Sequence, residues 1–182
     1  MLELPLQSPR LTLRRLSPAD LPEFQRYRGD AEVGRYQGWT AQSEAQALAF
    51  LTEMREAEAG VPGTWFQIGI ALREGDRLIG DIGLCRRIAD DGQIEAEIGY
   101  SLAASSQGRG LASEALQLLM PQLGAARVIA VTDARNTASL GLLARLGGRC
   151  VASEVASFRG EACVEHRYVI DADICSPVLS PD

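Results

Sequence analysis

The segment Gln107-Gly108-Arg109-Gly110-Leu111-Ala112 brings two glycines, an arginine and a helix start close together. That combination suits an anion. A helix N-terminus leaves backbone N–H groups unpaired and carries partial positive charge, and glycine lets a phosphate approach the backbone without meeting a Cβ. Arg109 adds a formal charge. Taken alone, such a turn could equally do no more than reverse the chain. Upstream, Glu95 and Glu97 alternate with Ile94, Ala96 and Ile98, so the two carboxylates share one face of an extended segment. Downstream, Asn136 and Ser139 are spaced to share one face of a helix.

The elements that must position these residues follow from periodicity. Ile94 to Leu102 reads as a strand, and Leu111, Ala115, Leu118 and Leu119 recur at helical spacing. Arg127 to Thr132 is a β-rich run, and Asp133 to Ser139 opens a second helix carrying Leu140, Leu142, Leu143 and Leu146, stopped by Gly147 and Gly148. Strand, helix and strand in this order predict a right-handed parallel crossover, whose ligands gather at the carboxyl ends of the strands. Both the glycine turn and Asn136 fall there.

Before the crossover, Arg10 to Leu16 reads as a first strand, and Ser17 with Pro18 opens a helix. Thr40 to Ala59 forms a second helical region with Ala45, Leu48, Leu51 and Met54 as its apolar face and Gly60 at its end. Thr64 to Leu72 and Arg77 to Leu84 are strands joined through Glu74-Gly75-Asp76, and Asp90-Asp91-Gly92 turns into the strand at Ile94. A final strand pair contains Ala152 and Val164, separated by Arg159-Gly160. The tail from Ala172, with Pro177 and Pro181, is expected to be poorly ordered, leaving one domain over 1–171.

On these residues the chain resembles the GNAT superfamily of acyl-coenzyme A dependent N-acetyltransferases, and within it the branch of ribosomal-protein N-terminal acetyltransferases. The likeness is carried by Ser8-Pro9-Arg10-Leu11-Thr12-Leu13-Arg14, Leu78-Ile79-Gly80-Asp81-Ile82-Gly83-Leu84, the block from Glu97 to Ala112, and Thr132 to Ser139 with Arg145-Leu146-Gly147. It implies an α/β (α+β) fold: a central, mixed, mostly antiparallel twisted sheet with a splayed parallel strand pair and helices on both faces. It also implies acetyl-CoA as acyl donor. Residues Gln107, Gly108, Arg109, Gly110, Leu111 and Ala112 would hold the pyrophosphate, Ile98, Gly99 and Tyr100 would offer strand backbone to the acyl group and pantetheine at a bulge that Gly99 tolerates, and Asn136 would hold the pantetheine arm or simply cap its helix. The loop Tyr36-Gln37-Gly38-Trp39 corresponds to the acceptor side, where Tyr36 and Trp39 either contact substrate or plug the core.

The same resemblance assigns roles in the chemistry. Glu97 matches the family's strand glutamate and is the candidate base, with a solvated or ion-paired carboxylate as the alternative. Many superfamily members carry a tyrosine as proton donor seven residues after the asparagine; here that position is Leu143. Ser139, the residue found in the closer branch, is the second candidate catalytic residue: it would hydrogen-bond and position the sulfur or pantetheine, with proton donation to the thiolate as the alternative. The favoured acceptor is a protein or peptide N-terminus, with a small-molecule amine, including an antibiotic, as the alternative and a non-catalytic acyl-CoA-binding module as a third reading. An α-amine of pKa about 7.7–8.0 needs only about 1 kcal/mol to be neutral at pH 7, against roughly 4.6 for lysine, so an N-terminal acceptor tolerates a water relay.

Composition bounds the remainder. The 182 residues, 46% hydrophobic, suffice for one core of ordinary size. A net charge of -6 argues against a nucleic-acid surface, and no apolar run has the length of a membrane span. Met1 to Pro5 does not read as a signal peptide, and the expected location is cytoplasmic, as monomer or homodimer. Cys85, Cys150, Cys163 and Cys175 lack metal or disulfide spacing and are expected to be reduced structural thiols; no metal is expected. The single histidine, His166, alternates with Val164, Tyr168 and Ile170 and reads as packed and hydrogen-bonded rather than catalytic. A nucleotide-binding domain is disfavoured, because no G-K-[ST] follows the glycines.

Overall fold

The computed structural model describes residues 2–171, so the expected tail from Ala172, with Cys175, lies outside the described residues. The chain begins with strands β1 (Leu6–Gln7) and β2 (Leu11–Arg15), then helices α1 (Leu21–Arg28), α2 (Ala31–Gly34) and α3 (Glu44–Glu56). Strands β3 (Trp65–Leu72), β4 (Leu78–Ile88) and β5 (Ile94–Leu102) form a meander. Helix α4 (Leu111–Leu119), β6 (Arg127–Asp133), α5 (Thr137–Arg145) and the hairpin β7 (Arg149–Phe158) and β8 (Glu161–Asp171) complete the fold.

All eight strands join one sheet in the order β1-β2-β3-β4-β5-β6-β8-β7. Only β5 and β6 run parallel, which is the predicted crossover, with α4 as its connection. Helices cover both faces. On one, α4 and α5 press Leu111, Ala115, Leu119 and Leu143 onto Leu13, Ile68, Ile82, Ile98, Val128 and Ile170. On the other, Phe24, Tyr27, Leu51 and Met54 of α1 and α3 close over Leu16 and Leu78. Burying each such side chain favours folding by about 1.5–3 kcal/mol, so these two clusters supply the driving force.

Local chemistry sets the element boundaries. Ser17, with Pro18 behind it, starts a short turn of 3-10 helix in which the Asp20 carboxylate accepts the Ser17 N–H at 2.8 Å. The second helical region is shorter than the expected Thr40 to Ala59, because Ser43 caps it: the Ser43 Oγ accepts the Gln46 N–H and the Gln46 side chain accepts the Ser43 N–H. Its buried stripe is Ala47, Leu51 and Met54, whereas Ala45 is exposed and Leu48 is 41% exposed. Two helical stripes share Leu51 and Met54, and packing against α1 selects the one that contains Ala47.

Between these layers lies a buried charge. Asp81, 2% exposed on β4, accepts the Tyr27 hydroxyl at 2.7 Å and an ion pair from Arg28. The Arg28 guanidinium in turn lies over the rings of Trp39 at 4.5 Å and Phe24 at 4.9 Å. Burial pushes the Tyr27 hydroxyl well above its ordinary range, and the neighbouring Asp81 charge adds to that.

Candidate active site

The sheet opens at its parallel seam. Strands β5 and β6 pair from Glu95↔Arg127 to Glu97↔Ile129, and then part. Beyond that point β5 continues to Leu102 with β4 alone on its other side. The Ile94 carbonyl accepts the Ala126 N–H at 2.9 Å, and the Tyr100 carbonyl, on the same edge by the two-residue alternation, accepts Gln37 Nε2 at 3.2 Å. The Tyr100 N–H therefore looks into the gap that β6 has left. The bulge expected at Gly99 is absent, since the β4–β5 register runs unbroken from Gly80↔Leu102 to Ile88↔Ile94. Gly99 stands opposite Gly83 in that register, and the departure of β6, not a bulge, frees the edge.

Alternation along β5 then divides the site between two faces. Ala96, Ile98 and Tyr100 point toward α4 and α5, while Glu95 and Glu97 point the other way, as the sequence pattern predicts. Gly99 belongs to the glutamate face, and a Cβ there would meet nothing within 4 Å, so the surface next to Glu97 is open. Glu97, 21% exposed, pairs with Arg87 at 3.0 Å. Glu95 is more heavily engaged, with Arg127 at 3.0 Å and Arg167 at 3.6 Å. Of the two carboxylates, Glu97 has the single ion-pair partner.

On the opposite face, the Tyr100 hydroxyl lies 2.8 Å from the Ser139 Oγ at the start of α5. Burial pushes the Tyr100 phenol up, against the Ser139 hydrogen bond and the charge of Arg145, which both lower it. Asn136 is the N-cap of α5: its Oδ1 accepts the Ser139 N–H at 3.2 Å. Leu143, at the position of the family's usual tyrosine, is fully buried and faces the core.

The glycine turn lies beyond the end of β5. Gln107 Nε2 donates to the Leu102 carbonyl at 2.9 Å and fastens the turn to the strand. Gly108 and Gly110 take φ of +70° and +74°, left-handed values that other residues adopt at a cost, and Gly110 is the N-cap of α4. Residues 107–110 are exposed, while Leu111 is buried and Ala112 half-buried, so Leu111 anchors the helix below an open N-terminus. A Cβ on Gly108 would meet nothing within 4 Å, and one on Gly110 only Arg10 Nη2 at 3.7 Å. This is an exposed cradle of backbone N–H groups at a helix start, and it fits a phosphate.

One buttress of the cradle escaped the sequence analysis. Arg10 donates to the Arg109 carbonyl at 3.0 Å and to Glu114 at 2.6 Å, and the Ser8 hydroxyl donates to the same carboxylate at 2.6 Å. Burial works against the Glu114 charge, but the hydrogen bonds from Ser8 and Arg10 outweigh it and hold its carboxyl below the ordinary value. Ser8 and Arg10 are visible in the sequence, but nothing local pairs them with a residue about a hundred positions away.

The loop at Tyr36 to Trp39 reaches the same region. Besides the Gln37 contact to Tyr100, Arg159 at the tip of the β7–β8 hairpin donates to the Gln37 and Trp39 carbonyls at 3.2 and 2.8 Å. Trp39 packs on the α1–α3 cluster, and Tyr36 is half-buried with its hydroxyl 3.4 Å from the Arg135 carbonyl. His166 bonds Ser153 at 2.8 Å through its Nδ1 on the β7–β8 hairpin, opposite Thr132 of β6. Among the described residues, Cys85, Cys150 and Cys163 are free thiols, no cluster of metal-binding side chains occurs, and no helix is long and apolar enough to cross a membrane.

Comparison with known proteins identifies the family and the fold. The model of the acetyltransferase (GNAT) domain matches residues 10–149. The uncharacterized N-acetyltransferase p20 of Bacillus licheniformis is 31% identical over 142 residues, covering 76% of this chain and 78% of the relative. Among solved structures, the microcin C7 self-immunity acetyltransferase MccE, in complex with acetyl-CoA and AMP, superposes with a TM-score of 0.76 at 16% identity, covering 90% of this chain and 93% of that one. RimL, a ribosomal L7/L12 alpha-N-protein acetyltransferase in complex with coenzyme A, superposes at 0.74 and 19% identity, covering 92% and 97%.

Proposed function

The chain belongs to the GNAT acetyltransferase family and is an acetyl-CoA-dependent acyltransferase, and from that premise we propose that it transfers acetyl directly to a primary amine, with the N-terminus of a protein or peptide as the favoured acceptor. The observation that carries this is the division of the site across the parted β5–β6 seam: a carboxylate, Glu97, on one face and a hydroxyl pair, Tyr100 and Ser139, on the other. Acetyl-CoA supplies an acyl group activated as a thioester. Backbone N–H groups at the start of α4, with Gly108, Arg109 and Gly110, hold its pyrophosphate, and Asn136, Ser139 and the free edge from Ile98 to Tyr100 hold the pantetheine.

Glu97 receives the amine's proton, directly or through water, on the open face beside Gly99. The Tyr100 N–H, pointing into the gap, is the donor available to a carbonyl oxygen there. Amine and thiol are thus handled on opposite faces, which suits direct transfer in a ternary complex. Tyr36 and Trp39 border the acceptor side through a loop fixed by Arg159 and Gln37. Support for an N-terminal acceptor comes from the likeness to RimL and from the amine itself, since an α-amine of pKa about 7.7–8.0 needs little help to become neutral whereas lysine needs much more. The likeness to MccE favours a small-molecule amine as the second reading. One enzymatic domain over residues 1–171, a cytoplasmic location and a monomer or homodimer belong to the same proposal; the free thiols suit a reducing compartment.

The test is thiol release from acetyl-CoA with a panel of peptides and small amines, for the wild type and Glu97→Gln. Peptides with free N-termini are expected to be the best acceptors. Glu97→Gln is expected to lose at least tenfold in turnover at pH 6.5 and to recover toward pH 8 and above, as the α-amine arrives neutral. Turnover equal to wild type at pH 6.5 would remove Glu97 from the mechanism, and preference for a small amine would replace the favoured acceptor.

A further inference from the structure

The fold has no phenol at Leu143, yet it delivers one to the cofactor face from a different element. We infer that Tyr100 of β5 is a positioning residue that fixes the Ser139 hydroxyl as a hydrogen-bond donor toward the thioester sulfur. The inference rests on the acetyl-transfer reading above and deepens it.

The contact between the two hydroxyls admits either as donor, and their relative acidity favours one direction. The Tyr100 and Ser139 oxygens are 2.8 Å apart, and a phenol is the stronger donor and the alcohol the better acceptor. Burial raises the phenol above its ordinary value and keeps it protonated through the physiological range, against the opposing effects of the Ser139 hydrogen bond and the Arg145 charge. The phenol O–H is accordingly assigned to Ser139 Oγ, which leaves the serine hydrogen outside that contact. The Ser139 main chain is also fixed, since its N–H is spent on Asn136 Oδ1 at 3.2 Å. What remains free on Ser139 is one O–H, on the α4–α5 face, beside the parted seam.

Two hydroxyls in series polarise each other, so the outer O–H becomes a better donor than a lone serine. When the C–N bond forms and the C–S bond breaks, the electron pair of that bond goes to sulfur. Ser139 O–H then stabilises the thiolate by a charge-assisted hydrogen bond and keeps its proton. The proton lost by the amine leaves through Glu97 or water to solvent, and the thiolate takes its proton from solvent on release, so the step balances with no further reactant. A phenol raised above its ordinary value is a poor proton source for a thiolate but a good fixed donor, which is why positioning is the assigned role.

The test uses binding as well as turnover. The affinities of coenzyme A and desulfo-coenzyme A are measured by isothermal titration between pH 7 and 9 for wild type, Tyr100→Phe, Ser139→Ala and the double variant. For wild type, coenzyme A should gain about tenfold over the desulfo analogue as its thiol ionises, a gain of the size expected for a hydrogen bond to a charged group. Either single variant should abolish most of that gain and lower kcat by about tenfold with little change in KM for acetyl-CoA, and the double variant should lose no more than either single one. Additive losses, or a Tyr100→Phe that keeps the sulfur-dependent gain, would overturn the inference while leaving acetyl transfer standing. Failure of both ligands to bind wild type would overturn the transferase reading and this inference together.

Discussion

Gly110→Ala separates the backbone role of the glycine turn from its ligand role. Gly110 sits at φ +74°, and a Cβ built on it meets only the tip of Arg10 at 3.7 Å, an ordinary contact. The cost to the free protein is therefore backbone strain alone, about 1–2 kcal/mol for a left-handed alanine. For a chain of this size that corresponds to a fall in Tm of about 2–8 °C. Gly92, in the β4–β5 turn at the opposite end of β5, has φ +80° and nothing within 4 Å of its Cβ position, so Gly92→Ala carries the same strain far from the cradle. Both variants should show similar losses by differential scanning calorimetry. Only Gly110→Ala should lose acetyl-CoA affinity, by about tenfold to a hundredfold, as its Cβ displaces a phosphate from charge-assisted hydrogen bonds worth roughly 1.5–3 kcal/mol each. Unchanged affinity in a folded Gly110→Ala, or an equal loss in Gly92→Ala, would refute the pyrophosphate assignment.

Two predictions concern the framework. Asp81→Asn leaves the Arg28 guanidinium, 10% exposed, without its counter-charge and should destabilise the protein by about 3–5 kcal/mol in denaturant unfolding; a loss under about 1 kcal/mol would mean that the aromatic rings alone carry the Arg28 charge. Glu114 has its folded pKa held below the ordinary 4.5, so its contribution is fully present above that value and is lost as pH falls through the lower, folded value. Glu114→Gln should accordingly be less stable than wild type at pH 7, with the difference closing on acidification below 4.5; a gap independent of pH would show that the Ser8 and Arg10 contacts act without the charge.

Local pattern sufficed for much of this protein. The alternation of Ile94, Glu95, Ala96, Glu97 and Ile98 sets the carboxylates on one face because a strand's side chains alternate whatever it pairs with, and the glycine turn, the α4 start and the Asn136 cap depend on a few consecutive residues. The crossover, the family and the fold class follow from such segments taken in order. Tertiary structure decided what depends on distant partners. Which stripe of α3 is buried depended on α1, because Ala45 and Ala47 are equivalent to local periodicity. Glu97 meets Arg87, Arg10 meets Glu114, and Gln37 meets Tyr100 only through the sheet's register and the loop clamped by Arg159. The absence of a bulge at Gly99 is a property of the β4–β5 register, which no local pattern carries. The Tyr100–Ser139 contact is of the same kind: the sequence shows each hydroxyl, but only the parting of β5 from β6 under α5 brings a strand phenol to a helix serine, since hydrogen bonds act over about 3 Å and sequence pattern carries no distance between elements 39 positions apart.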